Sequence, residues 1–199
     1  MPLTLVEYTV PSGTLLQHSS RETYRDTALH FGKDRQHRYD DPVGGYGVLY
    51  LAHTLPTALM ESAFHKHQWW RIGAARKITL SEVQSRMVRI VSVTDTLTLC
   101  DLASENAAVQ TFGLNATQLA TRRYARTRAL SARISARFAA SGAPFDGILY
   151  PSHNNPGARC IALFDPAAAK VFVHEDLRLD DHRDWPAFVR DFNVTVLPR

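Results

Sequence analysis

Apolar and polar positions alternate along this chain in short runs rather than in long helical stripes, which predicts strands with a few helices set between them. Leu3 to Val10 has β-favouring character and is closed by the turn Pro11-Ser12-Gly13. From there to Tyr39 the sequence is polar and mixed, and no periodicity assigns an element. Asp40-Asp41-Pro42-Val43-Gly44-Gly45 is a dense turn signal, because proline fixes φ and paired glycines accept positive φ. An apolar strand, Val48 to His53, follows it directly. Thr54 then supplies an N-cap with Pro56 in the first turn, predicting a helix to about Gln68 whose Leu55, Leu59 and Ser62/Ala63 face inward.

Further along, Lys77 to Leu80, Met87 to Val93 and, after a Thr94-Asp95 turn, Leu97 to Leu99 read as strands. Asn115 caps a segment opening Ala116-Thr117-Gln118, and Leu130, Ile134 and Phe138 recur every four residues before Gly142, predicting an amphipathic core helix. Gly147 to Tyr150, Arg159 to Phe164 and Lys170 to Val173 are three more strands, and Phe192 to Leu197 is a last candidate in a tail that completes the sheet or binds a partner. Strands and helices do not alternate regularly, and no G-x-G-x-x-G follows a strand, which disfavours a doubly wound dinucleotide fold. The expectation is a single α+β domain over 1–199, with a curved, mixed, largely antiparallel sheet flanked by helices.

Length and composition fit that picture, since 199 residues of 45% hydrophobic content bury a substantial core. The first residues show no basic, apolar signal pattern and no later run approaches the length of a membrane span, so a cytoplasmic location is expected. Cys100 and Cys160 are far apart without ligand spacing and read as free thiols; no metal is expected. The net charge of +4 and pI near 9.3 raise the question of nucleic acid. Arg122, Arg123, Arg126, Arg128, Arg133 and Arg137 crowd one segment, yet no helix-turn-helix, zinc-finger or aromatic RNA-binding signature accompanies them. They read as a solvated helix face or a surface for an acidic protein partner, and direct nucleic-acid binding is not expected.

Arg38, Tyr39, Tyr50, Glu61 and Ser152 stand out as polar groups in apolar or turn-forming surroundings. An arginine fork holds a phosphate or carboxylate, tyrosines stack on planar rings, and a glutamate stabilises a developing cation. A charged dinucleotide with a cationic leaving group uses all three. Each residue also has a plainer reading. Glu61 can pair with His65, Arg38 with Asp40 or Asp41, Tyr50 can be a core tyrosine, and Ser152 can open a turn with Asn154. Rival chemistries are weaker. His65 and His67 are two apart rather than the four of a zinc pair, Ser152 lacks a nucleophile elbow, and Trp69-Trp70 reads as core packing or a cleft rim.

Three stretches resemble the RES-domain family, named for an arginine, a glutamate and a serine. They are Arg38-Tyr39-Asp40-Asp41-Pro42 with its glycines, Val48 to Ala52 with Thr57 to Glu61, and Phe145 to Ser152 with the strand ending Leu163-Phe164. The resemblance spans roughly residues 20 to 170. It implies an ADP-ribosyltransferase-like fold and NAD+ as substrate rather than cofactor. It further implies a bacterial toxin that depletes NAD+ and is neutralised by an Xre-type antitoxin. On that basis Arg38, Glu61 and Ser152 are expected to be catalytic, with Arg38, Tyr39, Tyr50 and Ser152 contacting NAD+. Protein ADP-ribosylation and a non-enzymatic basic interaction module are the alternative functions, and self-association is compatible with the sequence.

Overall fold

A computed structural model describes residues 5–27, 29–65, 75–104, 112–115, 118–119 and 123–198. Among the described residues ten strands run in chain order: β1 (Glu7–Val10), β2 (Leu15–Arg21), β3 (Val48–Ala52), β4 (Arg76–Thr79), β5 (Arg86–Val93), β6 (Leu97–Asp101), β7 (Gly147–Pro151), β8 (Arg159–Phe164), β9 (Val171–Arg178) and β10 (Val194–Leu197). Between them lie the helices α1 (Leu55–Glu61), α2 (Leu80–Gln84), α3 (Ala125–Ser135) and α4 (Trp185–Asp191). Eight strands form one sheet in the order β1-β6-β7-β8-β3-β2-β5-β9, and β10 pairs with β4 in a second, two-stranded sheet. In the large sheet only the β6–β7 pairing is parallel, so the fold is α+β with the mixed, mainly antiparallel sheet expected.

Residues opposite one another across a ladder share a face. Tyr150, Cys160, Ala52 and Gln17 therefore form one row, and Ile148, Ala162 and Tyr50 the next row on the same face. At one end this face is covered by α3, whose Leu130 and Ile134 join Ile148, Ala162 and Phe164 in a core cluster. At the other end Leu55, Leu59 and Met60 of α1 pack with Val88, Trp185 and Phe188. Between the two coverings β2 presents Gln17 and Ser19, and there the layer opens into a cleft. The reverse face is apolar, with Leu49, Leu51, Val91, Leu149 and Ile161 in a third cluster.

Several expectations are corrected. β2 carries no apolar signal, because His18-Ser19-Ser20 interrupts its pattern, yet it pairs along its whole length with β5. Its polarity has a cause in the wholly buried Arg89 of β5. That guanidinium donates to Ser20 Oγ and to the carbonyls of Tyr24 (3.1 Å) and Arg25 (3.4 Å), and it lies 3.4 Å from Asp176 Oδ1. Leu80 is not a strand residue; Thr79 Oγ1 accepts the Glu82 N–H at 3.2 Å and opens α2 there. α3 ends at Ser135, and Phe138, expected on its inner stripe, is 68% exposed. The Thr94-Asp95 turn joins β5 to β6 without pairing them, and β6 lies between β1 and β7. The tail adds α4 unannounced, while β9 closes one sheet edge and β10 joins β4. α1 ends at Glu61 rather than near Gln68. His67, Trp69, Trp70, Arg122 and the Ala116-Thr117 dipeptide lie outside the described residues. Asn115 does cap its segment, exchanging 2.9 Å bonds with Gln118 in both directions.

Candidate functional site

Glu61 occupies the last position of α1, so its side chain leaves the helix at the edge of the cleft. The helix is set by Thr54, whose hydroxyl accepts the Thr57 N–H at 3.4 Å and bonds the Thr57 hydroxyl at 2.9 Å. Ser152 follows β7, and its hydroxyl donates to Glu61 Oε1 at 2.6 Å. The Asn154 N–H donates to the same oxygen at 2.9 Å. The Asn155 N–H donates to Ser152 Oγ at 3.0 Å, and the Asn155 amide donates to Thr57 Oγ1 at 2.9 Å. The loop after β7 is thus closed over α1, and the carboxylate is oriented by two donors on one oxygen, leaving Oε2 with its acceptor capacity.

The cleft is lined by Glu61, Ser62, Gln17, His18, Ser19, Tyr50, Tyr150 and Cys160 and has a volume of about 340 Å³, counting space open to solvent. Tyr50 and Tyr150 meet edge to face with centroids 6.5 Å apart. Burial pushes both phenols well above their ordinary range. Beneath them Cys160 is buried, its thiol also pushed up by burial and by the Glu61 carboxylate, so it is an inert floor rather than a nucleophile.

The loop carrying Arg38 is pinned to β3 by a short network. Tyr50 OH donates to Asp40 Oδ1 at 2.9 Å and accepts the Tyr39 N–H at 2.9 Å, while the His37 N–H donates to Asp40 Oδ2 at 2.7 Å. Asp41 accepts the Gly45 N–H. Both aspartates are therefore engaged by the loop itself, and Arg38 pairs with neither. Arg38 Nη1 instead donates to the Leu119 carbonyl, with the guanidinium 5.4 Å from the Tyr124 ring centroid. Its charge and that of Glu61 both act on Cys160 and Tyr39.

The five residues singled out in the sequence fall into three positions. Glu61 and Ser152 are in contact, Tyr50 lines the same cleft, and Arg38, directed to Leu119 and Tyr124, lies outside its lining on the loop that Tyr50 pins through Asp40. Tyr39 has a different place from the one expected. It has no exposed surface, packs at 4.6 Å on Tyr150, and supports the cleft from below rather than meeting a ligand ring. The sequence named Asn154 only as a turn partner of Ser152 and Tyr150 only within the RES-like stretch, and it did not single out Asn155; the N–H groups of Asn154 and Asn155 hold Glu61 and Ser152, and Tyr150 lines the cleft. The pattern Pro151-Ser152-His153-Asn154-Asn155-Pro156-Gly157 signalled a turn, but the bonds to Glu61 and Ser152 are made by backbone N–H groups, and of the two asparagine side chains it is that of Asn155 that bonds Thr57.

Two glycines of the motif stretches are fixed by close approach. A Cβ on Gly147 would lie 2.3 Å from the Ala162 carbonyl oxygen, and one on Gly47 would lie 2.5 Å from that of Phe31. Asp146 beside Gly147 is structural, accepting the Thr98 N–H at 2.8 Å and pairing with Lys170 at 2.9 Å.

Among the described residues no helix is long and apolar enough to cross a membrane. Comparison with family models matches residues 15–187 to the RES domain. Among solved structures the chain is similar to one described as the crystal structure of the M. tuberculosis MbcT-MbcA toxin-antitoxin complex. The TM-score is 0.61 at 14% sequence identity, covering 94% of this chain and 92% of that one, a likeness of fold. No curated protein matches the sequence.

Proposed function

Because the chain belongs to the RES-domain family, we propose that it cleaves the bond between nicotinamide and ribose in NAD+ and acts as the toxin of a toxin-antitoxin pair. The observation that carries this reading is the Glu61 carboxylate, presented at a cleft wall and oriented through one oxygen by Ser152 and Asn154. Nicotinamide leaves NAD+ as a neutral base and takes the bonding electron pair with it. Positive charge then develops on the ribose, and no proton need be given to the leaving group. A fixed carboxylate beside that carbon stabilises the cation more than the ground state, which is what lowers a barrier. Paired carboxylates are needed where a sugar leaving group must be protonated; here one suffices.

Ser152 serves this carboxylate as a positioning residue, since its hydroxyl is spent on Glu61. Tyr50 and Tyr150 offer aromatic edges to a planar ring, and Arg38 offers donors to an anionic part of the substrate. With water as acceptor, the products are ADP-ribose, nicotinamide and a proton; phosphate gives the corresponding phosphorylated sugar. An Xre-type antitoxin is the proposed partner, and support for a partner of that role comes from the similar structure, a toxin crystallised with its antitoxin.

Expression in a bacterial host tests the reading. Wild type should arrest growth and lower cellular NAD+, and Glu61→Ala and Arg38→Ala should do neither at equal protein level. Variants as toxic as wild type would remove Glu61 and Arg38 from the site.

A further inference from the structure

Two arginines from separate parts of the chain converge on one aromatic ring beside the cleft. The guanidinium of Arg38 lies 5.4 Å from the centroid of Tyr124, and that of Arg128, one turn into α3, lies 5.8 Å from the same centroid. Arg128 Nε donates to the His37 carbonyl at 2.9 Å, while Arg38 donates to the Leu119 carbonyl. Neither side chain forms an ion pair among the described residues. The nearby Asp40 and Asp41 carboxylates are taken up by His37, Tyr50 and Gly45. Two like charges are thus gathered and held by neutral acceptors and a ring face, an arrangement that opposes itself electrostatically until an anion arrives.

The pair is linked to the cleft through His37. The His37 ring, whose backbone holds Arg128, meets Tyr50 edge-on at 5.5 Å, and Tyr50 lines the cleft with Glu61. Both guanidiniums retain donors beyond the bonds described, Nη1 and Nη2 of Arg128 and Nε and Nη2 of Arg38, and such forks match phosphate oxygens. We propose that Arg38, Arg128 and Tyr124 form a diphosphate subsite for a nucleoside diphosphate, with Arg128 the second cation. This rests on the NAD+ reading for the identity of the full substrate. The subsite binds the diphosphate and leaves bond cleavage to Glu61, so Arg128 governs affinity for the anionic part alone.

The test titrates ADP and inorganic pyrophosphate into the full chain and measures KM, kcat and nicotinamide inhibition with NAD+, for wild type, Arg128→Ala and Arg128→Lys. Arg128→Ala should weaken ADP and pyrophosphate binding and raise KM by about 10-fold or more, the scale of a lost charge-assisted pair. It should leave kcat within about twofold and nicotinamide inhibition unchanged, because uniform binding alone is removed. Arg128→Lys, which keeps the charge and lacks the fork, should fall between, and it stands in if the alanine variant does not fold. A wild type that binds neither probe, Arg128→Ala binding both normally, or equal losses in kcat and nicotinamide affinity would overturn the subsite. Arg128-dependent binding of ADP by a chain that leaves NAD+ intact would keep the subsite and remove the reaction.

Discussion

Ser152 and Glu61, 91 positions apart in the chain, meet at 2.6 Å, with the serine hydroxyl donating to the carboxylate. The glutamate keeps its Asn154 N–H bond if the serine is lost, so orientation is weakened rather than abolished. Ser152→Ala should therefore lower kcat by roughly 10-fold, the effect of one hydrogen bond to a charged group. Glu61→Gln should cost far more while the protein stays folded. Steady-state kinetics on both variants check this, and equal loss in the two would give Ser152 a direct role.

Tyr39 and Tyr50 separate support from binding. The Tyr39 hydroxyl is buried without a hydrogen-bond partner among the described residues, whereas the Tyr50 hydroxyl bridges Asp40 and the Tyr39 N–H. Tyr39→Phe should be at least as stable as wild type, since an unpaired buried hydroxyl is removed. Tyr50→Phe should cost about 1–3 kcal/mol by stranding two partners. Denaturant unfolding of both variants decides it; a Tyr39→Phe variant less stable than Tyr50→Phe would contradict this hydrogen-bond assignment.

These two tyrosines also mark how far the sequence was legible. Strands with apolar runs, β3, β7 and β8, were readable because burial on both faces demands such runs, and β5 was readable despite Arg89 because Met87, Val88, Ile90 and Val91 surround it. β2 was not, because its polar residues answer to Arg89 and the cleft, partners that only the tertiary structure reveals. Glu61, Arg38 and Ser152 were named as candidates through residue type and the resemblance, but whether a tyrosine points to a ligand or supports from below depends on packing. Tyr39 therefore changed place. Asn154 and Asn155 were hidden for a related reason, since they reach Glu61 and Ser152 through backbone N–H groups, which residue type does not reveal.

Acid should destabilise the fold through histidines held neutral. His182 is buried, and its Nδ1 accepts the Asp184 N–H at 3.1 Å, a bond that protonation breaks. Burial lowers its pKa from the usual 6.5, and burial likewise lowers those of His18 and His53. The unfolded chain binds these protons more readily, so stability is full above the unfolded value and is lost as pH falls below it towards the folded values. Unfolding midpoints should drop from about pH 7 to about pH 5, and His182→Gln should show a shallower drop. A midpoint that rises on acidification would contradict the assignment.

Gly147→Ala should destabilise by at least about 2 kcal/mol, because its Cβ would collide with backbone on β8 rather than with a movable side chain. The contact is 2.3 Å from the Ala162 carbonyl oxygen. β7 carries Ser152 at its end, so activity should fall with stability in this variant. Thermal unfolding measures the first effect, and a wild-type midpoint would show that the strands can part without cost.

The central claim is that Glu61 drives loss of nicotinamide from NAD+. Its most direct measurement is release of free nicotinamide, followed by proton NMR, from NAD+ incubated with the purified chain and with Glu61→Gln. Wild type should release nicotinamide steadily, and the variant at a rate at least about 100-fold lower, as for loss of a principal electrostatic group. Intact NAD+ in the presence of folded wild-type protein, or equal release by both proteins, would contradict it.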